Sequence, residues 1–372
     1  MADSILTYFS DLPDPRSERG RIHELTDILT IALCGVLCSA DSWVEIEQFG
    51  NDKVEWFRTF LKLPEGIPSH DTFRRVFSRL DPKAFEQCFA KWTQSLVTSS
   101  DGKLIAVDGK TIRRSFEHAW NKTGLHLVSA FAAENRLVLG QLATEAKSNE
   151  ITAIPKLLEL LDLQGATVTI DALGCQKEIA RQIVAQGGDY LLAVKENQPT
   201  LHAQVKALLD EAILDSFKGM AGDYFQETDG GHGRIEVRKV WCTPEVQWLK
   251  QAENWPELRG LVVVESHRQL LGKASVERRY YISSRPGTDA RALAEAIRGH
   301  WGIENQLHWQ LDVSFNEDQC RVRTGHAAEN FSRLRRMALN LLKRETTAKV
   351  GIKAKRLKAG WNPDYLLKVL QT

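Results

Sequence analysis

Between residues 103 and 198 the apolar residues switch repeatedly between a period of two and a helical period, and this alternation restricts the fold more than any other feature. "KLIAVDGKTI", "LHLVSAFAAE" and "RLVLGQLAT" read as three successive strands separated by turn-like segments. "NEITAIPKLLELLDLQG" reads as a helix closed by Gly165 despite its early Pro155, and "ATVTIDALG" as a buried strand. "CQKEIARQIVAQGG" then reads as a helix and "DYLLAVKENQ" as another strand. The order is β-β-β-α-β-α-β, an α/β plan in which three adjacent strands precede alternating units.

The flanking segments follow other patterns. Residues 1–97 are expected to be a helical domain. It holds a buried helix in "ILTIALCGVLCSA" and a basic helix in "IPSHDTFRRVFSRLDP", where Ser69 is an N-cap candidate. Arg74 and Arg75 on that helix could meet DNA phosphate, either in a helix-turn-helix or from the outer face of a structural helix. Residues 98–199 form the first part of the core. Residues 200–285, with "GRIEVRKVWCT", "GLVVVESH" and "ERRYYISS", are expected to be a β-rich insertion. Residues 286–330 return to helical periodicity, and residues 331–372 read as a basic helical tail.

Two of the predicted strands end on an acid, Asp108 and Asp171. Taken alone, Asp108-Gly109 reads as a turn, because Asp-Gly tolerates positive φ. In the β-β-β-α-β order, however, the two acids would sit at the ends of the first and fourth strands. Neighbouring carboxylates repel unless a cation lies between them, and a pair of hard divalent ions about 3.5–4 Å apart would neutralise them. In "IRGHWGIENQLHWQLDV", Glu304 is flanked at helical spacing by His300, His308 and Asp312. Glu304 is the expected third ligand, since oxygen suits Mg²⁺ or Mn²⁺ better than imidazole does. Two other readings of the helix stand beside this one. His-x3-Glu-x3-His could be a transition-metal site, or the helix could be merely amphipathic, packing Trp301, Leu307 and Leu311 on the sheet.

Composition narrows the function classes. The net charge of +1 excludes a uniformly basic nucleic-acid coat, but residues 331–372 carry 11 Lys+Arg against 2 Asp+Glu. A basic arm on an acidic body suits a polyanionic partner; a solvated basic helix is the plainer alternative. The six cysteines form no Cys-x-x-Cys pair, so a reducing cytoplasm fits better than a disulfide framework. The longest apolar run is too short to cross a bilayer, and no membrane role is expected.

"IAVDGKTIRRS", "KSNEITAIPKLLELLDLQGATVTIDALGCQKEIA", "GGDYLLAVKENQ", "HGRIEVR" and "HWGIENQLHWQLDVSFNEDQCRVRTGHAAENFSRLRRMALNLL" together resemble the ISAs-type insertion-sequence transposases, which include the H-repeat-associated proteins. The resemblance spans nearly the whole chain, with "GIPSHDTFRRV" matching the transposase-associated region. It implies a DDE transposase with a ribonuclease H-like core, two Mg²⁺ or Mn²⁺ ions, and cutting and joining at terminal inverted repeats. Carried over by position, the catalytic and metal-binding acids are Asp108, Asp171 and Glu304, separated by 63 and 133 residues. Of the Tyr-x2-Arg-x3-Glu-x6-Lys pattern common in the broader bacterial group, only Glu304 is present; Ile297, His300 and Leu311 stand at the other positions.

The chemistry so implied is in-line phosphoryl transfer, with Asp108 bridging both ions and Asp171 and Glu304 each completing one site. Lys110, Arg113, Arg114 and Lys195 are candidates for phosphate contact near the acids. Arg333, Arg335 and Arg336 are candidates in the basic tail, which should give salt-sensitive DNA affinity. Because two DNA ends must be joined, a homodimer assembled on DNA is expected. A nuclease without strand transfer, or a catalytically silent DNA-binding protein, are the competing functions.

Overall fold

The computed structural model describes residues 5–18, 21–97, 102–115, 124–144, 150–231, 234–270 and 273–372. The domain boundary expected at residue 98 lies outside the described residues, as do the start of the "KSNE" motif and the first two residues of "HGRIEVR".

Helices α1 (Leu25–Leu37), α2 (Trp43–Asp52), α3 (Val54–Phe57), α4 (His70–Arg79) and α5 (Pro82–Leu96) come first. The apolar run predicted as a buried helix is α1, and it is buried on nearly every side. Ser69 caps α4 by accepting from the Thr72 amide, and Asp81 caps α5, which has proline in its first turn.

Next, β1 (Leu104–Thr111), β2 (His126–Ala132) and β3 (Leu137–Thr144) form an antiparallel meander. They are followed by α6 (Glu150–Leu158), β4 (Thr167–Ile170), α7 (Lys177–Ala185) and β5 (Asp189–Val194), in the predicted order. β4 pairs parallel with β1, and β5 parallel with β4. After α8 (Pro199–Leu214) come β6 (Asp223–Gly231), β7 (Arg234–Thr243), β8 (Gly260–Leu270) and β9 (Lys273–Ser283). The β-rich insertion does not fold apart from the core. β9 pairs antiparallel with β5, so one nine-stranded sheet runs β3-β2-β1-β4-β5-β9-β8-β7-β6. The chain then forms α9 (Ala290–Ile303), a π-helical turn over Glu304–His308, α10 (Trp309–Phe315), α11 (Ala327–Arg344), α12 (Ile352–Trp361) and α13 (Pro363–Leu370).

The two faces of the sheet are read off β1, where side chains alternate. Ile105 and Val107 join the core packed under α6, α7 and α8. Leu104 and Ala106 point the other way, into the layers built by α9 and by the remaining helices. That second core runs from Ile5 to Val369, so the N-terminal helices and residues 331–372 share one interior.

This corrects the expectation of a basic tail. Residue 331 falls inside α11, which packs against α1, α4 and α5. Arg333, Arg335 and Arg336 are buried and do not reach the surface, which corrects their assignment as phosphate contacts. Arg333 pairs with Glu86 at 2.6 Å and Glu329 at 3.2 Å, and Arg336 with Glu317 at 2.9 Å. Arg335 lies over the Phe331 ring. Farther on, Lys355 donates to the carbonyls of Leu342 and Glu345, and Arg356 to those of Val36 and Ser314. Counting charges along the chain missed this because a guanidinium can be held inside once carboxylates and carbonyls replace its water.

Candidate metal-binding active site

The pairing of β1 with β4 ends at Val107 opposite Ile170, so Asp108 and Asp171 each follow the last paired residue of adjacent parallel strands. The turn reading of Asp108-Gly109 is overturned, since both residues remain in β1, opposite Ser129 and Val128. Glycine is required there for space. A Cβ at position 109 would lie 2.3 Å from Glu150 Oε1 and 2.7 Å from His126 Nε2. His126 in turn bridges Glu150 at 2.5 Å and the Thr111 hydroxyl at 2.7 Å. Asp171 is fixed differently: its Oδ1 accepts from the Leu173 amide at 3.0 Å and caps the short turn Ala172–Gly174.

The third acid approaches from above the strand ends. α9 packs across β1 and β4, and Glu304 stands where it passes into the π turn. A π turn inside a helix shifts the following side chains relative to a regular α-helix and is frequent at functional sites. Here it presents Glu304 and His308 together to Asp108. His308 Nδ1 lies 3.6 Å from Asp108 Oδ2 and 3.5 Å from Glu304 Oε2. One donor atom from each of Asp108, Glu304 and His308 falls within 4.8 Å of the other two. The turn is braced by Lys343 of α11, whose ammonium donates to the Gln306 carbonyl at 2.8 Å and sits over the Phe131 ring.

Electrostatics mark the same place. Burial pushes the Asp108 carboxyl up to about 8, helped by the charges of Glu304 and Asp171 and opposed by the Gly109 amide. The neighbouring His308 holds Glu304 below the usual carboxylate range against the effect of burial. Asp108, the more enclosed of the two, therefore keeps the proton. Burial also lowers His300, against the pull of Asp171 and Glu304, and its Nδ1 is 3.0 Å from the Thr169 hydroxyl. Such crowding of acids is what a bound cation relieves.

The predicted phosphate contacts divide. Lys110 is nearly buried and is engaged by Asp312, by Asp318 at 3.2 Å and by Glu317 at 3.8 Å. It ties β1 to the segment after Glu304 and does not face solvent, which corrects its assignment as a free phosphate contact. Arg113, Arg114 and Lys195 are exposed, with Arg113 also 3.3 Å from Asp318. Arg74 and Arg75 are exposed on α4, Arg74 paired with Asp71. Trp301 is exposed with Arg279 of β9 over its ring, whereas Leu307 and Leu311 are buried. Sequence reasoning weighed His308 only as part of a His-x3-Glu-x3-His transition-metal site and chose Glu304 as the ligand instead. It could not foresee the brace from Lys343.

Comparison with known proteins shows the family. The family described as "Transposase DDE domain" matches residues 99–341, and "DDE_Tnp_1-associated" matches residues 6–93. The chain is 46% identical over 371 residues to YncI of Escherichia coli O157:H7, which is named as a transposase, covering 99% of this chain and 94% of that one. It is 40% identical over 371 residues to YhhI of Escherichia coli (strain K12), named as H repeat-associated, covering 98% and 97%. A piggyBac transposase solved in a synaptic complex with hairpin DNA is a distant likeness, aligning at a TM-score of 0.41 and 11% identity over 94% of this chain and 73% of that one. With acids on adjacent strand ends, a third on the helix above them, and a family match across both regions, the chain belongs to the DDE transposases.

Proposed function

We propose that the protein cuts and rejoins DNA at the terminal inverted repeats of a bacterial insertion sequence, using Asp108, Asp171 and Glu304 on a ribonuclease H-like core. The observation that carries this reading is the placement of Asp108 among Glu304 and Asp171, where its carboxyl is pushed up to about 8. This donor set fits two Mg²⁺ or Mn²⁺ ions. When bound, such ions supply activation of an oxygen nucleophile and neutralisation of phosphate charge.

The chain's own residues do the rest. Asp108 and Glu304 would hold one of these ions between them as carboxylates. The 3₁₀ turn capped by Asp171 holds that carboxylate in place. Arg113, Arg114 and Lys195 contact the phosphates of the reacting strand, and Arg74 and Arg75 contact the duplex from α4. These contacts fix position without reading sequence. Two copies assemble on paired ends in the cytoplasm; no helix among the described residues is long and apolar enough to cross a membrane.

The test is an end-cleavage assay. Purified protein is incubated with Mg²⁺ or Mn²⁺ and fragments carrying the DNA that flanks its reading frame, beside Asp108→Ala and Glu304→Gln. Cleavage followed by joining, lost in both variants, is expected. Cleavage without joining would point to a nuclease, and binding without cleavage to a silent DNA-binding protein.

A further inference from the structure

We infer that His308 is a nitrogen ligand of one of the two metal positions, so that this position has a mixed donor set of Asp108, Glu304 and His308 and takes manganese in preference to magnesium. The inference rests on the metal-dependent reading above and adds to it a ligand and an ion preference.

Three observations converge on the imidazole. The first is its separation from the acids. A divalent ion with bonds of about 2.1 Å spans donors roughly 3.0 Å apart at adjacent positions and about 4.2 Å apart at opposite ones. The Nδ1 distances of 3.6 Å to Asp108 and 3.5 Å to Glu304 fall between these limits and beyond hydrogen-bond range. The second is the state of the ring. The His308 side chain is 6% exposed, and its Nε2 has no hydrogen-bond partner. Its Nδ1 has only the two long carboxylate contacts, which a cation seated among the three groups would replace with direct bonds.

The third is the backbone. The π turn Glu304–His308 brings both side chains over Asp108, and Lys343 secures its Gln306 carbonyl. Asp171, whose carboxylate is held by the Leu173 amide, is left to the second position. The chemistry then selects the ion. Magnesium strongly prefers oxygen, whereas first-row transition ions accept imidazole alongside carboxylates.

The experiment is pulsed electron paramagnetic resonance on the full-length protein loaded with Mn²⁺, uniformly unlabelled and with ¹⁵N-histidine, beside His308→Asn. Competition of Mg²⁺ against Mn²⁺ is measured on the same samples, and circular dichroism checks each fold. A directly bonded nitrogen that changes isotope with the label and vanishes in the folded variant is expected. Mn²⁺ should bind at least about tenfold more tightly than Mg²⁺ in the wild type, and the gap should narrow in the variant. Mn²⁺ that binds with no nitrogen coupling, or with coupling that survives His308→Asn, overturns the assignment and leaves the three-acid reading standing. If the variant does not fold, the labelled wild type decides alone, because absent coupling there is sufficient refutation. Failure of Mn²⁺ to bind at all overturns both this inference and the proposed function.

Discussion

Replacing Arg333 with methionine should strongly destabilise the fold without changing how DNA binding responds to salt. Arg333 is fully enclosed. Its Nε meets Glu86 at 2.6 Å, its Nη2 meets Glu329 at 3.2 Å, and its Nη1 donates to Asn330 at 2.9 Å. Glu86 is itself 1% exposed, and its other oxygen accepts from the Gln141 amide at 2.7 Å, linking α5 to β3. Burial raises the Glu86 carboxyl, and the guanidinium is the chief opposing influence. Methionine keeps most of the apolar volume but leaves that carboxylate without its cation. Breaking a buried pair from one side costs about 3–5 kcal/mol, roughly two to four decades in the folded-to-unfolded ratio. In Glu86→Gln/Arg333→Met the fully enclosed charge is gone and an amide oxygen still faces Gln141, with only the more open Glu329 left without its partner, so most of the loss should return. Urea denaturation followed by tryptophan fluorescence measures stability, and DNA affinity at several salt concentrations measures phosphate contacts. An Arg333→Met protein as stable as wild type, with a salt slope shallower by about 1, would refute the reasoning. A double variant no better than the single one would refute the charge-burial part.

Arg113→Ala and Arg114→Ala should each reduce the salt slope of DNA binding by about 1, while Lys110→Met should leave it unchanged and weaken Mn²⁺ binding; titrations at graded salt and with Mn²⁺ separate the two effects. Gly109→Ala should destabilise the protein by about 1–3 kcal/mol because its methyl group meets Glu150 and His126, and Glu150→Ala in the same chain should recover part of the loss in thermal melts. Burial would raise the Glu317 carboxyl, but Arg336, Lys110, Arg335 and Ser332 outweigh that and hold it at about 2. A depressed carboxylate contributes stability above its ordinary pKa and loses it as pH falls. Glu317→Gln should therefore be less stable than wild type at neutral pH, and the gap should close between about pH 4.5 and pH 2, as read by denaturant midpoints across that range.

Much of the sheet was legible because burial on one or two faces writes itself into apolar periodicity. β1 to β5 and the helices between them follow that pattern. β6 was not foreseen: it is the edge strand, largely exposed, and "DYFQETDGG" has no alternation to betray it. Asp108 and Asp171 stood out because each follows a short apolar strand, and Glu304 because histidines and an acid recur around it at four-residue spacing. The burial of Arg333, Arg335 and Arg336 was hidden, since their partners Glu86 and Glu317 are remote in sequence or outside the tail. The π turn was hidden for a similar reason, as its Lys343 brace comes from a helix packed over it.

The pairing of β5 with β9 has a consequence for how this enzyme tolerates change. The chain leaves the sheet after Val194 and comes back along the very strand it left, with Leu191 opposite Ser283. Departure and arrival are thus neighbours, and the intervening hairpins reach outward like a pier from a fixed quay. Residues added at the far tips, around Gly231 or Leu270, lengthen the pier without shifting its footing. The stretch between the second and third acids can grow or shrink while their meeting point stays where the strands put it.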